Sequence, residues 1–252
     1  MSMPEQVAAW RKARRGEMLA QRRAVAQPVR QAWNERMTAL LTTGFPLLRE
    51  MAVGFYWPFQ GEFDPRFAIS RWRKQGAVAA LPVVTQKGSP LEFREWWPGV
   101  ATRRGVFDLP VPEGTALLRP QALLIPPIGF DAQGYRLGYG GGYFDRTLSA
   151  LSPQPLKIAV AFELSRIDTI HPQPHDIPMD FVVTEKGIHA VTAGGLALLE
   201  GAGEAEARAR EILRARSCGG EAGDEPQEAL EIRPYASPPC YAALLDPAYK
   251  DV

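Results

Sequence analysis

The sequence predicts an α/β domain in which helices cover a mostly parallel sheet. Three observations carry that reading. Short apolar runs bounded by turn residues recur at residues 51–58, 78–84, 123–125 and 156–162, each of the length of a buried strand. Helix-patterned segments precede and separate them. A glycine-rich loop, residues 138–142 (GYGGG), follows one of these runs and leads into a helix start at Tyr143. Open α/β sheets bind ligands in that position, beyond the carboxyl ends of strands. At 252 residues the chain is long enough for one good-sized domain with an appendage.

Composition narrows the function classes. Hydrophobic content of 46% and charged content of 23% are those of an ordinary soluble protein. A net charge of +1 gives no reason to expect nucleic acid or a membrane surface as partner. No apolar run approaches the ~18 residues of a membrane span. The charged N-terminus lacks the apolar core of a secretion signal, and Glu5 and Glu17 argue against an organellar presequence. Cys218 and Cys240 make no disulfide framework, so a reduced, cytoplasmic protein is expected.

In chain order, residues 4–48 read as two helices broken at Pro28. Trp10, Met18, Leu19 and Val25 form an apolar stripe, and most of the cations around it (Arg11, Lys12, Arg14, Arg15, Arg22 and Arg23) are expected on a solvated face. Residues 51–58 read as a core strand, 63–75 as a helix, and 78–84 as a strand in which Pro82 signals an edge or an end. Residues 91–97 predict a further strand, where packing is the expected role for at least one of Trp96 and Trp97, and 99–120 a long surface connection. The run at 123–125 stops at Pro126-Pro127, which lack ladder donors, and Asp131 and Gly134 then signal a chain reversal. After a strand at 156–162 come a rigid loop at 171–176 and a strand at 181–184. His171 and His175 are no zinc pair, because the prolines between them forbid the helix that the spacing requires. Residues 196–216 read as a helix, and 217–227 as a Gly/Glu linker to an aromatic tail. The domain is therefore expected to span 1–192 and the extension 193–252.

The chemistry concentrates at 136–146. The glycines let backbone N–H groups turn toward an anion without a Cβ in the way. The helix start adds partial positive charge. Arg136 supplies a cation, and Asp145 a carboxylate suited to a hard metal. Together they describe a phosphate site with room for magnesium, though neither a Walker loop nor a Rossmann fingerprint is present.

Residues 123–146 (LLIPPIGFDAQGYRLGYGGGYFDR) resemble, without a gap, the signature of the 5-formyltetrahydrofolate cyclo-ligase family. They match it at Pro126, Phe130, Asp131, Gly134, Arg136, Leu137, Gly138, Gly140, Gly142, Tyr143, Phe144 and Asp145. The resemblance covers residues 8 to 190. It implies the family's three-layer fold, similar to that of NagB, RpiA and CoA transferases, with a C-terminal extension added here. It also implies an enzyme that uses ATP and Mg2+ to cyclise 5-formyltetrahydrofolate to 5,10-methenyltetrahydrofolate, and a monomer is expected. Its N-terminal Lys-x-x-x-Arg pair, which reaches ATP phosphates, falls on Arg11 and Arg15, with Lys12 the alternative to Arg11. Leu137, Gly138, Tyr139, Gly140, Gly141, Gly142, Tyr143 and Phe144 would complete the ATP site, with Arg136 and Tyr143 catalytic. Trp57 and Glu62 would contact the pterin beside residues 139–143, and Asp145 and Asp180 would hold the metal. Without the resemblance, Trp57 reads as core and Glu62 as a helix N-terminal charge. The rival readings are a paralogue with a non-catalytic or thiamine-linked nucleotide site, a sugar-phosphate or CoA enzyme of the same layered fold, and an interaction protein acting through residues 191–252.

Overall fold

The computed structural model describes residues 3–218. The strands among the described residues are β1 (Ala52–Gly54), β2 (Val78–Val83), β3 (Glu92–Trp96), β4 (Thr102–Arg104), β5 (Pro110–Pro112), β6 (Ala122–Ile125), β7 (Gly129–Phe130), β8 (Arg136–Leu137), β9 (Leu156–Val160), β10 (Phe181–Thr184), β11 (Gly187–Thr192) and β12 (Gly195–Leu199). The α-helices are α1 (Met3–Arg23), α2 (Gln27–Gly44), α3 (Arg66–Arg73), α4 (Tyr143–Ala150) and α5 (Ala202–Cys218). Eight strands make one sheet in the order β12-β11-β10-β9-β6-β1-β2-β3. The run from β10 to β2 is parallel, while β3, β11 and β12 are antiparallel.

Side-chain alternation divides the core into two layers, as the strand period requires. Ala122 and Leu124 of β6 face a cluster shared with Met37 and Leu41 of α2, Ile69 and Trp72 of α3, and Ala205 and Ala209 of α5. Leu123 and Ile125 face the opposite cluster, which includes Leu148 of α4, Met179 and Phe130. Sheet residues buried on both faces explain why the central strands read as continuous apolar runs. A third cluster, Met18 with Ile128, Leu137, Ile167 and Ile170, docks α1 across the β7–β8 hairpin.

Several expectations are corrected in detail. The break between the first helices spans residues 24–26, and Pro28 lies in the first turn of α2, where its missing N–H costs nothing. The strand expected over 51–58 is only Ala52–Gly54. The Phe55 N–H still bonds Ala80 O at 2.9 Å, and the chain then leaves the sheet. Of the two readings of Pro82, the edge is excluded, because β3 pairs outside β2 and places Phe93 opposite it, while the strand end holds, since β2 stops at Val83. The connection at 99–120 contains the β4–β5 hairpin. The helix expected over 196–216 begins at Ala202. Residues 195–199 instead return antiparallel against β11, with Ile188 opposite Leu199. A short apolar run such as LALL has no period that separates strand from helix. The boundary expected after 192 thus falls inside a β-hairpin, and the packed unit runs through α5. The linker expected from residue 217 starts inside α5, which runs to Cys218; its remainder, the tail and Cys240 lie outside the described residues. Among the described residues no helix is long and apolar enough to cross a membrane.

Candidate active site

Beyond the carboxyl ends of β1, β2 and β6 the chain opens a cleft. One wall comes from Tyr56, Trp57, Phe59 and Glu62, and the other from Pro126, Arg136 and the glycine loop through Asp145. Local structure builds each part. The hairpin joining β7 to β8 is tied by the buried Asp131, whose Oδ1 accepts from Gln133 N and Tyr135 N at 3.0 Å each and whose Oδ2 accepts from Ile170 N at 3.1 Å. That closure delivers Arg136 and the following loop to the cleft. Gly140 (φ +94°) and Gly142 (φ +64°) hold backbone conformations that a side chain would strain. Gly142 caps α4 with no side-chain acceptor, which leaves the first N–H groups of the helix available to an anion.

Helix α1 closes the loop from above. Arg11, Arg15, Met18 and Arg22 recur on one face of this helix. Arg15 Nε donates to Gly138 O at 2.7 Å, and its guanidinium lies against Gly140. Arg22 was expected to be solvated, yet it is 3% exposed. Its Nε reaches Gln60 O at 3.1 Å and its Nη2 reaches the Tyr139 hydroxyl at 2.7 Å. Helix phase gives Arg11 and Lys12 different surroundings. Lys12 is exposed, whereas Arg11 turns inward to Ile170 O at 3.0 Å and to the Asp176 carboxylate at 2.5 Å.

On the other wall, Glu62 is not a helix charge, because α3 starts only at Arg66. It ends a tight turn in which Phe59 N donates to Oε2 at 2.9 Å, while the Tyr139 hydroxyl donates to Oε1 at 2.5 Å. Arg22 Nη2 stands 3.7 Å from Oε1. Burial pushes the Glu62 carboxyl up to about 7, against the opposing pull of Arg22, Tyr139 and the Phe59 N–H. Burial and the nearby Glu62 carboxylate also raise the Tyr139 hydroxyl. Trp57 stands in the wall with the Arg66 guanidinium 4.6 Å from its ring centre and Trp96 at 6.4 Å. Trp96 itself is core, packed on Phe55.

The two carboxylates expected around the metal have different neighbours. Asp145 lines the cleft and accepts from Arg136 Nη1 at 2.9 Å. Asp180 lies at the amino end of β10. It faces Arg216 of α5 at 2.6 Å and the Lys157 ammonium at 3.7 Å, and accepts from Lys157 N at 2.7 Å. Parallel strands carry their ligand side at the opposite end, so Asp180 does not reach the cleft. Asp176, in the 171–176 loop, is the carboxylate brought to the α1 arginines. The N–H of the next residue, Ile177, approaches Asp145 Oδ1 at 3.4 Å. Burial works to raise the Asp176 carboxyl, but Arg11 and the Gln173 N–H outweigh it and hold it below the usual carboxylate range. Among the described residues no group of three or more His, Cys, Asp or Glu side chains forms a cage for a metal. Magnesium needs only one or two carboxylates when phosphate oxygens complete its shell, so the donors present suit magnesium held by a nucleotide.

Sequence reasoning missed three contributors. Arg22 and Asp176 carry no local signal that separates them from surface charges. Val106, Leu109 and Pro110 reach the cleft wall from the β4–β5 hairpin; the resemblance brings the loop around Phe107 and Pro110 toward the site, but its irregular spacing here gives it no assigned role.

The chain is similar to known proteins over most of this framework. Residues 7–185 match the model of the 5-formyltetrahydrofolate cyclo-ligase family. A 5-formyltetrahydrofolate cyclo-ligase of Mycolicibacterium smegmatis is 29% identical over 180 residues, covering 68% of this chain and 92% of that protein. The corresponding protein of Escherichia coli K12 is 28% identical over 172 residues, covering 65% and 93%. The solution structure of 5,10-methenyltetrahydrofolate synthetase from Aquifex aeolicus superposes with a TM-score of 0.64 at 25% identity, covering 76% of this chain and 96% of that one. The family model spans the chain from α1 to the end of β10: the chain is an enzyme of the 5-formyltetrahydrofolate cyclo-ligase family.

Proposed function

We propose that the chain converts 5-formyltetrahydrofolate and ATP to 5,10-methenyltetrahydrofolate, ADP and phosphate. The observation that carries this reading is the position of Glu62: a buried carboxylate in an aromatic-walled cleft whose facing wall is a glycine loop at a helix start. An aminopyrimidine edge presents two adjacent N–H groups, which a carboxylate accepts with charge assistance. Two of the lone-pair positions on Glu62 are used by Tyr139 and Phe59 N, which leaves others for a ligand. Trp57 and Tyr139 supply flat surfaces for the pterin ring.

The chemistry suits the opposite wall. A formyl oxygen is a poor leaving group, so it takes the γ-phosphoryl of ATP. The neighbouring N10 then attacks the formyl carbon, the ring closes, and phosphate departs with the oxygen as the nitrogen gives up its proton. Such a transfer asks the protein for positioning and charge neutralisation. Arg15, Arg136 and the N–H groups of 138–142 would hold phosphate oxygens, and Tyr143 opens the helix beneath them. Arg11 would act through Asp176, which it fixes. Asp145 and Asp176 would hold magnesium, which when bound offsets phosphate charge.

The test is absorbance of the methenyl product with purified protein, 5-formyltetrahydrofolate, ATP and magnesium. A rise that requires all three additions is the expected result. Nucleotide binding by folded protein without any product would instead support the non-catalytic paralogue.

A further inference from the structure

Tyr139 belongs to the glycine loop by sequence and to the Glu62 wall by contact. Its flanking residues are held by Arg15, through Gly138 O at 2.7 Å and against Gly140. Its hydroxyl sits between Arg22 Nη2 at 2.7 Å and Glu62 Oε1 at 2.5 Å. Arg22 and Glu62 have side chains only 3% and 4% exposed. Tyr139 is 41% exposed, with its ring 6.3 Å from that of Phe59. A half-exposed loop residue therefore donates to a fully buried carboxylate on the far wall. Among the described residues no backbone bond joins β8 to the Phe59–Glu62 turn, and this hydroxyl and Arg22 link the two walls through polar contacts.

We infer that Tyr139 is a positioning residue that couples the two binding sites: an anion held by residues 138–142 fixes the loop that places the Tyr139 hydroxyl on Glu62, and so strengthens folate binding. This inference rests on the folate reading of the cleft. The hydroxyl donates to the ionised carboxylate, the form that accepts from an aminopyrimidine edge, and it orients Oε1 while leaving a lone pair free. A bound triphosphate that immobilises residues 138–142 removes part of the ordering cost that folate binding otherwise meets. By linkage, folate raises nucleotide affinity by the same factor.

The experiment is calorimetric titration of 5-formyltetrahydrofolate into wild type and Tyr139→Phe, each with and without a non-hydrolysable ATP analogue and magnesium. Wild type is expected to bind folate about fivefold or more tightly with the analogue, and Tyr139→Phe to change less than twofold. A second readout is the pH dependence of folate affinity. The charged and titratable groups facing Glu62 are Arg22 from α1, Tyr139 from the loop and Tyr56 from the end of β1. Without the Tyr139 hydroxyl the carboxyl holds its proton to higher pH, so the midpoint of the affinity profile moves up in Tyr139→Phe. A merely structural tyrosine would lower the melting temperature and leave both the ratio and the midpoint in place. Equal ratios in the two proteins, or a wild-type ratio of one, overturn the coupling. If wild type forms methenyl product with a ratio of one, only the coupling fails. If it neither binds folate nor forms product, the folate reading fails and the coupling with it.

Discussion

Glu62→Gln separates the functional cost of a buried carboxylate from its structural role. The folded carboxyl titrates at about 7 against an ordinary value of 4.5. Its folded pKa is raised, so between these values the folded state keeps a proton that the unfolded state has released. Stability therefore falls as pH rises through the window from 4.5 to about 7, and levels off above it. At ~1.4 kcal/mol per unit, the full displacement corresponds to roughly 3 kcal/mol, of which roughly 2.5 kcal/mol accrues between pH 5 and pH 8. Glutamine keeps the shape but cannot ionise, so the variant lacks that slope. It also turns an amide N–H2 toward one of the donors Tyr139 and Phe59 N, a pH-independent cost of ~1–3 kcal/mol. Urea unfolding of both proteins at pH 5 and pH 8 is the assay. The variant should gain on wild type by ~2–3 kcal/mol between the two pH values, while its folate affinity falls by about tenfold or more and its ATP affinity stays unchanged. A stability difference that does not move with pH would refute the raised carboxyl, and intact folate affinity would refute its role in recognition.

Other outcomes follow from the same geometry. Asp145→Asn should leave a folded protein, less stable by ~1–3 kcal/mol because buried Arg136 loses its ionised partner, with turnover abolished. Turnover within about tenfold of wild type, ~1.4 kcal/mol in barrier, would sink the metal assignment. Asp176→Asn should raise the magnesium concentration needed for half-maximal rate, whereas Asp180→Asn should lower the melting temperature and leave that concentration alone. The reverse pattern would restore Asp180 to the site. Truncation after Ala193 should give insoluble or unfolded protein, because it strips β12 from the sheet and uncovers the core where Ala205 and Ala209 pack. Truncation after Cys218 should keep the cyclisation rate; loss of activity in a folded product would place residues 219–252 in the catalytic unit.

Much of the site was legible because its chemistry is local. Gly140, Gly142, Arg136 and Asp145 sit within one short stretch, and backbone freedom, a helix start and a charge pair at close spacing need no distant partner to be recognised. Trp57 and Glu62 were legible only through resemblance. A tryptophan after a strand and a glutamate before a helix are ordinary residues until another segment is placed opposite them. Arg22 shows the same limit from the other side. In sequence it is one of a crowd of arginines, and only the helix phase and the β7–β8 hairpin distinguish it from exposed Arg23. The extension was misread for a related reason: residues 196–199 become a strand because β11 offers them a free edge, a partner their own pattern does not specify.

What the sequence alone determined, then, is the alternation of buried strands with helices and the glycine loop with its neighbouring arginine and aspartate, since these depend on periodicity and on backbone freedom within a few residues. What only the tertiary structure decided is which charges meet. Helix phase turned Arg11, Arg15 and Arg22 inward and Lys12 outward. The loop before β10 put Asp176 against Arg11, and strand polarity left Asp180 at the far end against Arg216 and Lys157. Burial, which no side chain carries in its own identity, brought Glu62 to about 7. Coulombic attraction and desolvation act across space between residues distant in the chain, so these pairings were settled only when the sheet order set the distances.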